Sequence, residues 1–260
     1  MDAYETRQDF THINAPKTVK NRLPLLGGRN FRDLGGIAAG DGRRILPRRL
    51  FRADDLHALR EQDLDLLANI PVVTVVDFRA TGETTRKPDK LPPSVKRHRL
   101  LPIVPGGLEP WEPDSALRKK GGHEFMKSIY RSLVLDDAII TVYKELFHLL
   151  LSEDTLPLLF HCSAGKDRTG MAAAFIQIAL GVDMQTIMNE YLDSNICLAG
   201  KYDREIAIHP GRAAIFFAES EYLLAGIEAM REKSGSAECY LESVLSVDLR
   251  KMRERFLSPA

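Results

Sequence analysis

The segment that most constrains the fold spans residues 156–180, where an apolar run, a short polar loop and a second apolar run follow directly on one another. The first run, 156–160, has the length of a buried strand, and the second, 171–180, is long enough to form a buried helix. The loop between them, 161–170, reads His-Cys-Ser-Ala-Gly-Lys-Asp-Arg-Thr-Gly. A strand, a tight loop and a helix in this order direct the N–H groups of the loop and of the first helical turn at one point, an arrangement that binds anions.

Cys162 and Arg168 are the residues of this loop that are best suited to chemistry. A thiol beneath a ring of amides and a helix N-terminus loses its proton readily, and the thiolate is the nucleophilic form. The planar guanidinium of Arg168 can hold two oxygens of a phosphoryl group, a task that a lysine cannot match. We therefore predict Cys162 as the nucleophile and Arg168 as the phosphate clamp. A buried structural cysteine is the alternative for Cys162, and the loop context disfavours it.

The loop resembles the signature of the cysteine-dependent protein tyrosine phosphatases, which is His-Cys, five residues, Arg, Ser/Thr and Gly. A second segment, residues 30–36, reads Asn-Phe-Arg-Asp-Leu-Gly-Gly and is similar to the N-terminal hallmark of a bacterial and fungal branch of that family. Residues 50–52 and 77–79 match further motifs of the branch, so the resemblance spans roughly residues 25 to 255. It implies a cysteine-based phosphatase fold and a hydrolase that forms a phosphocysteine intermediate. Members of the branch accept phosphotyrosine, phosphoserine or phosphothreonine, and phosphoinositides.

The resemblance also implies roles for the rest of the loop. The residues predicted to surround the phosphate are Ser163, Ala164, Gly165, Lys166, Asp167, Arg168 and Thr169. Lys166 resembles a lysine of inositol-lipid phosphatases that meets further phosphates on the ring, and its alternative is a solvated side chain at the pocket rim. Thr169 could cap the helix or hydrogen-bond the Cys162 sulfur. We predict that His161 orients the loop rather than acting as a base.

Three aspartates compete for the role of general acid, which protonates the leaving oxygen. Asp167 lies in the loop and matches lipid phosphatases whose proton donor is placed there. Asp77 ends a predicted buried strand on the side where α/β sheets carry their sites, with an ion pair to Arg79 as its alternative. Asp114 is ranked third, because the inserted Glu112 breaks its similarity to the Trp-Pro-Asp loop of ordinary tyrosine phosphatases. In the segment 30–36, Arg32 and Asp33 are predicted to support the pocket wall and could pair with each other.

Overall composition excludes several classes of protein. Lys and Arg number 36, as do Asp and Glu, so no net charge attracts nucleic acid. Three widely spaced cysteines indicate neither a disulfide framework nor a zinc site, and we predict no metal and no cofactor. No apolar run reaches the ~18 residues that a membrane helix needs, and the first residues do not resemble a signal peptide. These features predict a cytoplasmic protein without an integral membrane segment, and they leave its oligomeric state open.

The order of predicted elements indicates an α/β fold with a mainly parallel sheet flanked by helices. Strands are predicted at 71–79, 97–103 and 156–160, and a helix capped by Asp54 or Asp55 is predicted before the first of them. Further helices are predicted at 124–133, 137–151, 183–194, 213–231, 237–246 and 248–256.

The domain organisation predicted from the sequence is simple. Residues 1–24 are predicted to form an N-terminal arm, and residues 25–260 a single phosphatase domain. Residues 102–122 hold several prolines and glycines and the only tryptophan, Trp111. Because loops this long inside compact domains are usually functional or mobile, this segment is predicted to be a mobile lid.

The function predicted from these features is hydrolysis of phosphomonoesters, with a phosphorylated protein or a phosphoinositide as the substrate. Protein-tyrosine phosphatase activity is favoured, with phosphoserine, phosphothreonine and phosphoinositide activity beside it. A phosphoinositide-selective enzyme is the main alternative. A rhodanese-like sulfurtransferase also uses a cysteine in an anion-binding loop, and an inactive phosphate-binding module is a further alternative. Both are disfavoured, the first by the Arg-Thr-Gly ending and the second by the presence of both Cys162 and Arg168.

Overall fold

A computed structural model describes residues 19–105 and 121–259. Within these ranges a five-stranded sheet has the order β1-β2-β5-β3-β4. Its strands are β1 (Arg32–Asp33), β2 (Leu50–Ala53), β3 (Thr74–Asp77), β4 (Arg97–Leu100) and β5 (Leu158–His161). All neighbouring pairs are parallel except β1 and β2, which are antiparallel. The predicted α/β architecture with a mainly parallel sheet is therefore confirmed.

Helices cover the sheet on both faces. They are α1 (Glu61–Asn69), α2 (Thr81–Arg86), α3 (Gly122–Leu135), α4 (Asp137–Leu151), α5 (Arg168–Ala179), α6 (Met184–Cys197), α7 (Asp203–Ile208), α8 (Ser220–Ser234), α9 (Ala237–Ser243) and α10 (Leu249–Phe256). The helix predicted at 213–231 begins only at Ser220, because residues Pro210–Ile215 form a separate 3₁₀ helix. Neither α2 nor α7 was predicted from the sequence, and each has only six residues. No helix in the described ranges is both long and apolar enough to span a membrane.

The central strand β5 separates two apolar clusters. Successive side chains of a strand point to opposite faces of the sheet, and Leu158 and Phe160 accordingly lie in the larger cluster while Leu159 lies in the smaller one. Helix α5 packs in the larger cluster and is buried around nearly its whole circumference, as expected for a helix that is apolar on every side. This burial fixes the position of the loop between β5 and α5.

The predicted capping of the first helix by Asp54 or Asp55 is wrong. Helix α1 begins at Glu61, and the carboxylate of Asp63 accepts a hydrogen bond from Arg60 N at 2.9 Å. Asp54 instead accepts hydrogen bonds from the backbone N–H groups of residues 29 and 30. It therefore ties the N-terminal segment to the end of β2.

The carboxyl ends of the central strands meet beside the signature loop. Ala53 at the end of β2 and Asp77 at the end of β3 both pair with His161 at the end of β5. Open α/β sheets bind ligands at this edge. The predicted arm and lid fall largely on residues 1–18 and 106–120, which lie outside the described residues, as do Trp111 and Asp114.

Candidate active site

The signature loop leaves β5 at Cys162 and enters α5 at Arg168. Cys162 is 2% exposed at the base of the loop. Gly165 has a φ of +64°, and a Cβ placed there would lie 2.3 Å from the Ala53 carbonyl oxygen. Only glycine can adopt this backbone without strain and also allow so close an approach to β2. The loop is therefore tightly wrapped against the end of the neighbouring strand.

The carbonyl groups of the loop are bonded on its outer side. Asn30 Nδ2 donates to the carbonyl oxygens of Ala164 at 2.9 Å and Gly165 at 3.0 Å, and Arg52 Nη2 donates to Gly165 O at 2.6 Å. Within a trans peptide the C=O and N–H groups point in opposite directions. No N–H group of residues 163–167 donates to a described residue. These amides are therefore free to form an anion-binding nest.

A buried cluster of charges supports the residues that hold the loop. Glu190 accepts from Arg32 Nε at 3.0 Å and from Arg52 Nη1 at 2.6 Å. Arg32 also donates to Asn30 Oδ1 at 2.9 Å. Although burial opposes ionisation of Glu190, the charges of the two arginines lower its pKa. The loop thus lies on a network in which the positions of Asn30 and Arg52 are fixed by Glu190.

The predicted pairing of Arg32 with Asp33 is wrong. Asp33 accepts hydrogen bonds from the backbone N–H groups of Gly35 and Arg48, each at 2.8 Å. The two side chains lie on opposite sides of their strand because neighbouring residues of a strand alternate in direction. Arg32 therefore supports the loop, while Asp33 stabilises the turn that follows β1.

The guanidinium of Arg168 is held along one edge by Glu83 of α2. Nη1 donates to Glu83 Oε2 at 2.7 Å and Nη2 donates to Oε1 at 2.9 Å, and the Ser163 hydroxyl donates to the same carboxylate. Although burial opposes ionisation of Glu83, the hydrogen bonds and charge of Arg168 lower its pKa to about 2. No described residue accepts a hydrogen bond from Nε of Arg168, so the edge formed by Nε and Nη2 is free for a second oxyanion.

Cys162 and Arg168 interact electrostatically. Burial opposes the charge of the Arg168 guanidinium, but Glu83 and the negative charge of a Cys162 thiolate raise its pKa. Arg168 therefore remains a cation beside the predicted nucleophile.

Asp167 and Lys166 form a pair at the far end of the loop. Lys166 Nζ lies 2.6 Å from Asp167 Oδ1, and the Tyr130 hydroxyl donates to the same oxygen at 2.8 Å. The Lys166 side chain is only 1% exposed, so the alternative of a solvated lysine at the pocket rim is wrong. Asp167 is 20% exposed and faces a cavity that it shares with Arg168.

Asp77 lies in a second buried cluster behind the loop. Both of its carboxylate oxygens accept hydrogen bonds from Arg79, the shortest at 2.7 Å, and Arg79 Nη2 also lies 2.8 Å from Asp89 Oδ1. The ion pair with Arg79, which was the alternative for Asp77, is therefore present. Asp77, Asp89 and His98 lie close enough together to bind a metal ion. However, the positive charge between the two carboxylates is already supplied by Arg79.

His161 joins this cluster to the loop. It is fully buried, with Nε2 3.0 Å from Asp89 Oδ2 and Nδ1 3.4 Å from the Cys162 carbonyl oxygen. Burial disfavours the imidazolium, but Asp89 and Asp77 raise the pKa of His161. This geometry places His161 between the second cluster and the backbone of the nucleophile, where it can orient the loop.

The contacts suggested for Thr169 are not formed. Its Oγ1 is buried and has no hydrogen-bond partner among the described residues, so it neither caps α5 nor reaches the Cys162 sulfur there. Asp167 occupies the N-cap position of the helix without a side-chain capping bond. The start of α5 therefore keeps its N–H groups available to the loop interior.

A cavity of about 750 Å³ opens beside Arg168. Cys162 is not among the residues that line it. Its lining combines apolar with charged side chains. The apolar ones are Ile103, Val104, Pro105, Ile129 and Leu133, and the charged ones are Glu83, Arg86, Asp167 and Arg168. A ligand in this cavity would meet apolar side chains as well as the guanidinium of Arg168.

Glu83, Glu190 and Tyr130 were not recognised from the sequence. The Glu83 carboxylate accepts a hydrogen bond from Ala80 N at 2.9 Å, as a helix-capping glutamate does, but the N-cap position holds Ala80 rather than the Ser, Thr, Asp or Asn that marks such a helix start in a sequence. Glu190 lies between Asn189 and Tyr191 on α6, and nothing in the sequence there marks it as a buried charge. Tyr130 looked like any aromatic core residue of an amphipathic helix.

The chain matches known phosphatases over nearly its whole length. Residues 23–258 match the model of the "Tyrosine phosphatase family". A Cupriavidus necator protein, whose name assigns it provisionally to the tyrosine-protein phosphatases, is 31% identical over 88% of this chain and 86% of its own. The "Triple specificity protein phosphatase PtpB" of Mycobacterium tuberculosis is 27% identical over 84% of this chain and 91% of that protein.

Among solved structures, Pseudomonas aeruginosa TpbA overlaps 82% of this chain and 88% of its own at 19% identity and a TM-score of 0.36. That likeness is too distant to carry a conclusion about this chain. The match to the family model over residues 23–258 and the 31% identity to the Cupriavidus necator relative are sufficient. The protein belongs to the tyrosine phosphatase family of enzymes.

Proposed function

We propose that the protein hydrolyses phosphotyrosine through a phosphocysteine intermediate formed on Cys162. The observation that carries this proposal is the free edge of Arg168 beside the unbonded amides of residues 163–167. Together they present donors to the equatorial oxygens of a phosphoryl group and would gain strength as charge spreads in the transition state. Glu83 acts as a positioning residue, because it holds the opposite edge of the guanidinium.

In the first step the Cys162 thiolate attacks phosphorus and the bond to the leaving oxygen breaks. The protonated Asp167 carboxyl gives its proton to that oxygen, so the product leaves as a neutral alcohol or phenol. In the second step a water molecule attacks the phosphocysteine, Asp167 takes a proton from it, and the sulfur leaves as thiolate. Inorganic phosphate is the second product.

Asp167 is favoured over Asp77 as the group that moves this proton. Asp167 is partly exposed at the cavity wall beside Arg168. Asp77 is fully buried, and both of its oxygens are bonded to Arg79. A carboxyl group held in this way has no path to the leaving oxygen without breaking the ion pair.

A phosphotyrosine side chain fits the cavity better than a polyphosphorylated inositol. The apolar side chains of the lining, which include Ile129 and Leu133, can pack against an aromatic ring. Lys166, the residue that suggested contact with further ring phosphates, is buried and paired with Asp167. Phosphoserine and phosphothreonine activity is a second candidate, and it is supported by the similarity to the Mycobacterium tuberculosis relative, which is named a triple specificity protein phosphatase.

A reducing compartment such as the cytoplasm suits this chemistry. The three cysteines are free, and the attacking sulfur must remain unoxidised because only a thiolate can form the intermediate. We therefore propose a cytoplasmic enzyme.

The mechanism is tested with Cys162→Ser and, as its matched control, Cys239→Ser, which alters an exposed cysteine on α9. We expect Cys162→Ser to lower turnover of p-nitrophenyl phosphate by at least about 1,000-fold, and Cys239→Ser to leave it unchanged. Rapid acid quenching of the wild type with ³²P-labelled substrate should trap label on the protein, and Cys162→Ser should trap none. Retained turnover in Cys162→Ser would reject the mechanism.

Substrate class is tested by comparing kcat/KM for phosphotyrosine peptides, phosphoserine peptides and soluble phosphoinositides. We expect the phosphotyrosine peptides to give the highest value. A phosphoinositide preference that is lost in Lys166→Ala would instead establish the alternative of a phosphoinositide-selective enzyme.

A further inference from the structure

A chain of buried hydroxyl groups ends on the carboxylate of Asp167. Tyr191 of α6 and Tyr130 of α3 lie with their hydroxyl oxygens 2.7 Å apart, and Tyr130 lies 2.8 Å from Asp167 Oδ1. Tyr130 is fully buried and Tyr191 is 1% exposed. The chain thus connects two helices of the core to one atom of the signature loop.

The direction of the hydrogen bonds follows from the chemistry of the groups. A carboxylate oxygen can only accept, so Tyr130 donates its single hydroxyl proton to Asp167, and Tyr191 must donate to Tyr130. Burial and then the negative charge of Asp167 raise the pKa of Tyr130 well above its ordinary value, and the same two causes act on Tyr191. Both hydroxyls therefore remain protonated, and Tyr130 is a permanent donor.

The two oxygens of Asp167 are used differently. Oδ1 receives Tyr130 from one side and Lys166 Nζ from the other, at 2.8 and 2.6 Å. Oδ2 has no hydrogen-bond partner among the described residues, and Asp167 lines the cavity next to Arg168. The carboxyl group is therefore anchored through one oxygen and open to the cavity through the other.

We propose that Tyr130 is a positioning residue for proton transfer by Asp167. This inference rests on the proposed function and deepens it. As the phosphorus–oxygen bond breaks, the proton on Oδ2 passes to the leaving oxygen, and the electron pair left behind is shared with Oδ1. Tyr130 and Lys166 already donate to Oδ1, so they stabilise the carboxylate as it forms and keep Oδ2 directed at the leaving group.

The alternative is that Tyr130 only fills the core. Tyr240 offers a matched control for that role, because it is also fully buried and its hydroxyl donates to Val134 O at 2.6 Å, away from Asp167. Tyr240→Phe removes a comparable buried hydroxyl. A purely structural effect would therefore act alike in Tyr130→Phe and Tyr240→Phe.

The experiment measures how kcat/KM depends on the leaving group. Phenols with a low pKa leave without a proton, whereas alcohols need one, so loss of acid catalysis acts most strongly on alkyl phosphates. We expect Tyr130→Phe to lower kcat/KM for an alkyl phosphate about tenfold and that for p-nitrophenyl phosphate less than about threefold. Tyr240→Phe should change kcat/KM for both substrates by the same small factor.

A double-mutant cycle with Asp167→Asn then tests the route of the effect. If Tyr130 acts through Asp167, Tyr130→Phe should cause no further loss on the alkyl phosphate in the Asp167→Asn background. An unchanged leaving-group dependence in Tyr130→Phe, an equal change in Tyr240→Phe, or a persistent loss in the double variant would each overturn the proposal.

Tyr191→Phe keeps the proposal testable if Tyr130→Phe does not fold. That variant keeps the hydrogen bond between Tyr130 and Asp167. It should also lower kcat/KM more for the alkyl phosphate than for p-nitrophenyl phosphate, but by a smaller factor than Tyr130→Phe. If its kcat/KM depends on the leaving group as that of the wild type does, the proposal is overturned. Failure of the proposed function has a separate signature, which is turnover that survives Cys162→Ser whatever the tyrosine variants do.

Discussion

Two glutamate–arginine clusters flank the signature loop, and they differ in what surrounds them. The inner cluster joins Glu190 to Arg32 and Arg52 beneath the loop, where all three side chains are at most 10% exposed. The outer cluster joins Glu83 to Arg168 at the cavity, where the side chains are 27% and 15% exposed. The same pair of side-chain types therefore occurs once in the interior and once at a surface that a substrate can reach.

The difference separates two tasks. In the inner cluster both arginines are paired with Glu190, and Arg52 also donates a hydrogen bond to the Gly165 carbonyl oxygen. In the outer cluster Arg168 keeps one edge unbonded. The inner cluster thus shapes the loop, and the outer cluster orients Arg168, the residue that we propose holds the substrate.

The largest expected effect is the loss of stability when the inner cluster is broken. Glu190→Gln would leave the guanidinium groups of Arg32 and Arg52 buried without a counter-charge, so the free energy of unfolding should fall by about 3–5 kcal/mol. Denaturation in urea measures this loss. Glu232→Gln, which breaks an exposed pair with Arg131, serves as the control and should leave the free energy of unfolding nearly unchanged. Equal losses in the two variants would show that burial does not distinguish the clusters.

The outer cluster should affect activity more than stability. Glu83→Gln removes the charge that holds Arg168 in its bidentate geometry, and we expect kcat/KM for p-nitrophenyl phosphate to fall about 10- to 100-fold. Glu221→Gln, which alters an exposed glutamate on α8, should leave kcat/KM unchanged. Wild-type activity in Glu83→Gln would show that Arg168 needs no positioning partner.

The outer cluster should also contribute to stability against acid. The pKa of Glu83 falls from its ordinary value of 4.5 to about 2 in the folded protein. A lowered pKa stabilises the fold above 4.5, and this stabilisation disappears as the pH falls from 4.5 towards 2. Because the side chain is partly exposed, we expect a contribution of about 1–2 kcal/mol. The difference in unfolding free energy between wild type and Glu83→Gln should therefore shrink by about 1–2 kcal/mol as the pH falls from 5 to 2.

The smallest expected effect is on stability and concerns Asp193, a second carboxylate near the inner cluster. It tests whether the two arginines need a negative charge in addition to that of Glu190. Burial, with a further contribution from Glu190, raises the pKa of Asp193 to about 6 against the opposing charges of Arg32 and Arg52. A raised carboxyl pKa stabilises the fold below 3.8, and this stabilisation is lost as the pH rises through about 6. Asp193→Asn should thus stabilise the protein by about 1 kcal/mol at pH 7.5 and have little effect near pH 4. Destabilisation at pH 7.5 would show that the arginines require Asp193 as well.

The parts of the site that the sequence predicted are those encoded by local spacing. Cys162 and Arg168 are placed by one strand, one loop and one helix, so their relation follows from a segment of ten residues. The central strands could also be predicted, because β3 lies in a run rich in β-branched residues (71–79) and β5 lies largely in an apolar run (156–160) between helices.

The rest depends on contacts between distant parts of the chain. Glu190 and Arg52 are separated by 138 residues, and Arg168 and Glu83 by 85. Helix α2, which carries Glu83, has six mostly polar residues and no buried face, so it has no apolar periodicity to detect. The burial of Lys166 could not be predicted either, because the neighbours that cover it come from other elements.

The tethers between Asn30 and the loop have a consequence for protein synthesis. Asn30 and Gly165 are 135 residues apart, and translation at about 5–20 residues per second makes the earlier segment wait on the order of ten seconds for its partner. Glu190, which fixes both Arg32 and Arg52, emerges later still. A nascent chain on the ribosome therefore has no assembled signature loop until most of the polypeptide has been made. A truncated product would carry Cys162, the proposed nucleophile, without the contacts that shape the loop around it.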